Sequence, residues 1–179
     1  MTQYARPDST EAAGEWYDTE MSAQDNLHLQ IDESSTDDND FVQAMDSDGS
    51  NITCKLGLSN VSDPSNAANH KVVVRAQGAD GGGGIPELKF ALYLSNGSTK
   101  IAEHTFTPAD SSWGNTTLTF STSEANAITS YDNLQIWLIL IPLSGGSESS
   151  QIMVSQTWFE CDDAAAAVTT NPAFLLFID

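Results

Sequence analysis

Positive charge is what this sequence has least of. Only 6 of its 179 residues are Lys or Arg, against 25 Asp and Glu, for a formal net charge of −19 at pH 7. Nucleic acid is held by cations that displace counterions from phosphate, and anionic lipid surfaces also attract basic segments. The expectation is therefore neither nucleic acid nor membrane. Crowded carboxylates strain a compact state at low ionic strength. Near 1 M salt the Debye length falls to about 3 Å and that strain fades, so the composition points to a saline, halophilic setting.

Cysteine is almost absent. Cys54 and Cys161 stand far apart in sequence, and the start "MTQYARPDST" lacks the basic and apolar stretches of an export signal. Two free, buried thiols are expected. Long apolar runs are missing too, which excludes a helical membrane span of ~20 residues. No sustained helical period occurs, and no glycine-rich phosphate loop: "GADGGGG" (78–84) has no following Lys-Ser/Thr.

What is present is alternation. "LHLQI" (27–31), "ITCKLGL" (52–58), "KVVVRAQ" (71–77), "ELKFALYLS" (87–95), "TKIAEHTF" (99–106), "TTLTFS" (116–121), "NLQIWLILI" (133–141) and "SQIMVSQTWF" (150–159) read as strands of period two. "NGS" (96–98) and "PLSGGSES" (142–149) read as hairpin connections. One short helical turn fits 121–131, with Ser123 as cap and Glu124 near its positive end. The fold class is thus all-β: an antiparallel β-sandwich of jelly-roll type with about eight or nine strands. Residues 1–26 read as an N-terminal arm, 27–160 as the sandwich and 161–179 as a C-terminal tail.

Two segments break the one-face rule. Residues 136–141 are apolar on both faces, with Trp137, Ile139 and Ile141 opposite Ile136, Leu138 and Leu140. A strand buried on both sides needs a cover. In the tail, Phe174, Leu175, Leu176, Phe177 and Ile178 would be an aggregation hazard if left exposed. These eight residues, Trp137 to Ile141 on the outer strip and Phe174 to Ile178 in the tail, are the expected interface. The tail either folds back on its own subunit or docks on another.

Catalytic motifs are lacking. "IDESSTDDNDFV" (31–42) does not follow the EF-hand order of alternating ligands, a central Gly and a final Glu. Ca²⁺ held by Asp37, Asp38 and Asp40 stays open, because Ca²⁺ accepts oxygens from separate segments. The simplest reading is a solvated corner, since Asp and Asn bond nearby backbone amides in turns. A glycosidase needs two carboxylates in a cleft, and the sequence nominates no pair. His28, His70 and His104 show no metal-ligand spacing. Trp16, Trp113, Trp137 and Trp158 could stack on sugars, though tryptophan in a sandwich more often serves core or interface.

The order "ARPDST", Trp16, "LHLQIDESSTDDNDFV", "CKLGLSNVSDPSNAANHKVVVRAQ", "TKIAEHTFTPADSSWGNTTLTFSTSEANAITSYDNLQIWL" and "MVSQTWFE" resembles a family of small jelly-roll virion proteins of tailed bacterial and archaeal viruses. The resemblance spans roughly residues 5 to 160. Arg6, Pro7, Asp8, Trp16, Asp32, Glu33, Asp37, Asp38, Asp40, Asp63, Pro64, His70, Arg75, Trp113, Tyr131, Phe159 and Glu160 match its pattern, while Phe41 stands where Tyr is usual. It implies a non-enzymatic structural protein on the outer surface of the virion. Such a protein would decorate the head as a homo-oligomer, trimer or pentamer, against the major capsid protein or another virion protein. The alternative is a tail-fibre or tail-tip module that binds host-surface glycan with or without Ca²⁺; a glycosidase or lyase ranks below both.

Overall fold

The structure, a computed structural model, describes residues 1–22, 24–45, 49–95, 97–143 and 150–164. Eleven strands run in chain order: β1 Thr2–Ala5, β2 Pro7–Ala12, β3 Trp16–Tyr17, β4 Val42–Met45, β5 Ile52–Leu58, β6 Lys71–Ala79, β7 Glu87–Tyr93, β8 Lys100–Phe106, β9 Gly114–Thr119, β10 Gln135–Ile141 and β11 Gln151–Asp162. They form two antiparallel sheets. The six-stranded sheet has the order β3-β4-β11-β6-β9, with β1 also paired to β11; the five-stranded sheet has the order β2-β5-β10-β7-β8. The fold is the expected β-sandwich of jelly-roll type.

Alternation builds the core directly. Ile52, Cys54, Leu56 and Leu58 of β5, Val72, Val74 and Ala76 of β6, and Leu88, Phe90 and Leu92 of β7 all point between the sheets and are buried. From β10, Ile136, Leu138 and Leu140 join them at zero exposure. Each fully buried side chain of this size contributes roughly 1.5–3 kcal/mol.

Residues 1–26, expected as an arm, instead supply three strands. β1 enters the six-stranded sheet and β2 the five-stranded one, so the chain crosses between layers at Arg6. Ala5 and Trp16 are fully buried, and the Trp16 Nε1–H donates to the Ile52 carbonyl at 3.3 Å. At the other end β11 runs through Cys161 to Asp162, two residues into the expected tail. The apolar segment Phe174 to Ile178 lies outside the described residues.

Three local expectations are corrected. Residues 27–30 form a 3₁₀ turn, not a strand. Strand alternation would bury Leu27, Leu29 and Ile31, but Leu27 and Ile31 are buried and Leu29 is 54% exposed, a helical spacing. Left-handed Asn26 (φ 60°) starts the turn, and the His28 amide donates to Thr10 Oγ1 at 3.1 Å. Second, β10 and β11 do not pair as the expected hairpin, because they belong to different sheets; residues 144–149 between them lie outside the described residues. Third, helix α1, Thr122–Asn126, is capped by Ser121 rather than Ser123. A capping box forms, Ser121 Oγ accepting from the Glu124 amide and the Glu124 side chain accepting from the Ser121 amide. The β7–β8 hairpin is as expected, with the Leu94 amide donating to the Thr99 carbonyl at 3.0 Å and Gly97 at φ 63°.

Gly14 fixes the turn between β2 and β3. Its φ is +60°, and a Cβ there would sit 2.3 Å from the Thr53 carbonyl oxygen. Backbone strain and a backbone clash therefore coincide. Gly14→Ala should lower stability by more than about 1 kcal/mol, read as a lower urea midpoint with an unchanged slope; an unchanged midpoint would contradict this placement.

Candidate functional site

The acidic corner between the 3₁₀ turn and β4 is docked onto the six-stranded sheet by one bidentate pair. Arg75 on β6 donates from Nε to Asp38 Oδ1 at 2.7 Å and from Nη2 to Oδ2 at 2.6 Å. Ser155 Oγ also donates to Asp38 Oδ1 at 3.0 Å. Ser155 occupies a register shift in β11 between Val154 and Gln156, and such bulges re-aim side chains. The next residue, Gln156, donates from Nε2 to the Glu33 carbonyl at 2.7 Å. The bulge thus presents two consecutive polar side chains to the corner.

This arrangement divides the aspartates expected as Ca²⁺ ligands. Asp38 is committed to Arg75, whose hydrogen bonds, with that from Ser155, hold its carboxyl below the ordinary value. Asp37 Oδ1 accepts from the Asn39 amide and Nδ2, both at 3.0 Å. Asp40 is pushed upward by burial and by Asp37 and Asp32. Burial pushes Glu33 upward too, aided by Asp32, Asp40 and Asp37. Among the described residues no three His, Cys, Asp or Glu side chains are grouped to hold a metal.

The remaining reactive residue types are also engaged. Burial pushes the thiols of Cys54 and Cys161 up to about 12, which removes thiolate character. His70 is 1% exposed. Its Nδ1 lies 2.9 Å from the Ala68 carbonyl and its Nε2 2.7 Å from Tyr131 Oη. The carbonyl can only accept, so Nδ1 carries a proton and donates to it, while Nε2 shares a hydrogen bond with the Tyr131 hydroxyl. Phe159 packs on both rings, at 5.8 and 6.3 Å between centroids. An opening of about 480 Å³ at one end of the sandwich is lined by Asn60, Asp63, Ser130, Tyr131 and Asp132 among others. Glu33 and Asp40, whose carboxyls are pushed upward, are not in its lining.

The outer faces of the two sheets hold the expected strip Trp137, Ile139 and Ile141 together with two cation–aromatic clusters that the sequence did not reveal. Five of the six cations sit on strands, and Arg6 links β1 to β2. On the five-stranded face Trp137 stacks on Tyr93 with centroids 3.9 Å apart and planes at 19°, while Lys55 Nζ lies 4.0 Å over the Trp137 ring. Two groups that close to one ring must lie on opposite sides of it, so Trp137 is sandwiched. Ile139 beside it keeps 8% exposure, and Ile141 is half-buried. Lys89 and Lys100 converge on Glu103, at 3.9 and 2.7 Å. On the six-stranded face the Arg6 guanidinium lies 5.5 Å from the Tyr4 centroid and 6.0 Å from that of Trp158. Lys71 pairs there with Glu160 at 2.8 Å. Outward alternation marked Lys71, Lys89 and Tyr93, but only strand register brings them to their neighbours.

No family model matches the chain, and no curated protein matches it. Among solved structures, a family 4 carbohydrate-binding module is similar at 12% identity, over 70% of this chain and 74% of that one, with a TM-score of 0.41. A family 16 carbohydrate-binding module is similar at 8% identity, over 72% and 82%, with 0.40. A cyclase from Fischerella sp. TAU is similar at 15% identity, over 92% and 75%, with 0.48. At these values they carry no argument about what this chain binds.

The pH dependence of the corner has two limbs of opposite sign. Glu33 and Asp40 have raised folded values, so the ionised corner costs stability at neutral pH and protonation relieves it first as pH falls. Asp38 has a lowered folded value, so its contribution persists above the ordinary carboxylate range and is lost as pH falls through that lowered value. At low salt the melting temperature should rise on mild acidification and then fall. Glu33→Gln should flatten the rise, and Asp38→Asn should cost about 1 kcal/mol at neutral pH and flatten the fall. A melting temperature that declines steadily from neutral pH in both variants would contradict the assignment.

Proposed function

We propose that this chain is a non-enzymatic structural protein of a tailed-virus particle. It decorates the head as a homo-oligomer and docks through the outer face of its five-stranded sheet. One observation carries the reading. The middle of that face is Trp137, Tyr93, Ile139 and Ile141, with Lys55 held over the indole, Lys89 opposite Ile139, and Lys100 and Glu103 on the edge strand β8. Interface centres are enriched in aromatic residues, and Trp and Tyr dominate their energetics. The sequence of the tail, Phe174 to Ile178, adds a second apolar element to the same proposal. The resemblance to jelly-roll virion proteins supports the setting, and the charge of −19 suits a surface that stays soluble in brine. A glycan-binding role is favoured by a different feature, the Arg6 cluster on the opposite face.

Trp137→Ala removes the centre of the face without touching the core side of β10. Assembly on the particle should weaken by about 2 kcal/mol, roughly 30-fold, while circular dichroism stays that of the parent. A chain lacking residues 171–179 should lose incorporation and keep its fold. If both variants are incorporated at parental levels, the five-stranded face and the tail are not the anchor.

A further inference from the structure

We propose that the outer face of the six-stranded sheet binds a carboxylated saccharide. The Arg6 guanidinium takes the carboxylate, and the rings of Tyr4 and Trp158 take the sugar. Arg6 stands out among the cations by what it does not pair with. In a chain with 25 acids and 6 bases, a surface cation meets a carboxylate easily. Arg75 pairs with Asp38, Lys71 with Glu160, and Lys89 and Lys100 with Glu103. Among the described residues the Arg6 guanidinium has no ion pair and no hydrogen bond; it lies against Tyr4 and Trp158 instead. Its counterpart in this respect, Lys55, belongs to the face assigned to assembly.

The position of Arg6 is held by its backbone. Its amide donates to Ser59 Oγ at 3.0 Å, and its carbonyl accepts from the Ser59 amide at 2.8 Å. The residue is thus fixed where the chain passes from one sheet to the other. A guanidinium offers five N–H donors in a planar fork that matches a carboxylate in bidentate fashion, and here those donors have no protein acceptor among the described residues. Tyr4 is 48% exposed, and an aromatic ring is the apolar surface that the C–H face of a sugar requires.

The neighbours suit a hydroxyl-rich ligand. Register puts Tyr4 opposite Glu160, Glu160 opposite Lys71, and Lys71 opposite Thr119. One row across four strands therefore offers a phenol, a carboxylate, an ammonium and a hydroxyl. Glu160 also accepts from Trp158 Nε1 at 3.4 Å, which ties the row to the indole. A neutral sugar would leave the guanidinium unmatched. A nucleic acid would meet the −19 charge with a charge on every phosphate. A saccharide with sparse carboxylates fits both constraints. The site does not depend on the assembly reading, since it lies on the opposite sheet.

The test is isothermal titration of the full chain with a hyaluronan hexasaccharide, in ~1 M KCl where the Debye length is about 3 Å and general repulsion is screened. An uncharged chito-hexasaccharide and a poly-glutamate peptide serve as comparators. Hyaluronan should bind, and chito-hexasaccharide should bind at least about tenfold more weakly, the worth of one charge-assisted contact. Arg6→Ala and Tyr4→Ala should each weaken hyaluronan binding at least about tenfold. Tyr4 is exposed, so Tyr4→Ala keeps the test open if the Arg6 variant does not fold. Trp137→Ala should bind hyaluronan like the parent even if it fails to assemble, which separates this site from the docking face. Absence of hyaluronan binding overturns the proposal. So do equal binding of the uncharged oligomer, stronger binding of poly-glutamate, or parental affinity in the folded variants.

Discussion

Twenty-five carboxylates and six cations cannot be paired one to one, and the distribution the fold imposes on them shapes every surface of the molecule. Among the described residues five cations stand on strands and six acids do: Asp8, Glu11, Glu87, Glu103, Glu160 and Asp162. The sheets are therefore close to neutral, and the acid excess gathers at connections and corners, where water and salt screen it. Each ion pair on a sheet face also ties elements together. Arg75–Asp38 pins the acidic corner to β6, Lys71–Glu160 crosses from β6 to β11, and Lys89 with Lys100 joins β7 to β8 through Glu103. Exposed pairs of this kind are individually worth little. Their role here lies in position, because each removes a carboxylate from a face that would otherwise repel its neighbours.

With charge largely cancelled on the faces, aromatic side chains can occupy their centres. Trp137 and Trp158 each stand in the company of a second aromatic and of a cation without a carboxylate partner among the described residues. The two clusters differ in what remains available. Trp137 is covered on both ring faces by its own chain and so presents an edge, a rigid wedge suited to packing against protein. The Arg6 cluster leaves Tyr4 about half exposed and five N–H donors without a protein acceptor among the described residues, a pattern suited to a polar ligand. The proposed division of labour, one sheet for anchorage and one for recognition, follows from that difference.

Much of the fold was legible because period two is a strong signal on a half-buried strand. β5, β6, β7, β8 and β10 lie where the alternation of Ile52–Leu58, Val72–Ala76, Leu88–Leu92 and their partners places them. Two kinds of element escaped. The short strands at Thr2–Ala5, Pro7–Ala12 and Trp16–Tyr17 bury only single anchors such as Ala5 and Trp16, too few residues to show a period. The turn at Leu27–Gln30 imitates alternation over five residues, and a tertiary contact from Thr10 decides the matter. The acidic corner was read correctly as a turn. Its aspartates could not be assigned separately, because Arg75 lies 37 residues beyond Asp38. The Arg6 and Lys55 clusters depend on register between distant strands, which no local pattern encodes.

The residues behind the virion-protein resemblance have concrete roles. His70, Tyr131 and Phe159 form one packed and hydrogen-bonded unit at the base of the core. Asp38 and Arg75 lock the corner, and Glu160 holds Lys71. They specify the scaffold, and the two aromatic clusters lie above it on opposite faces. The most direct test of that division is hydroxyl-radical footprinting of the free chain and of the chain on assembled particles. The account predicts that Trp137 and Tyr93 become protected on assembly while Tyr4 and Trp158 react as before. Protection of Tyr4 and Trp158 with Trp137 unchanged would contradict it.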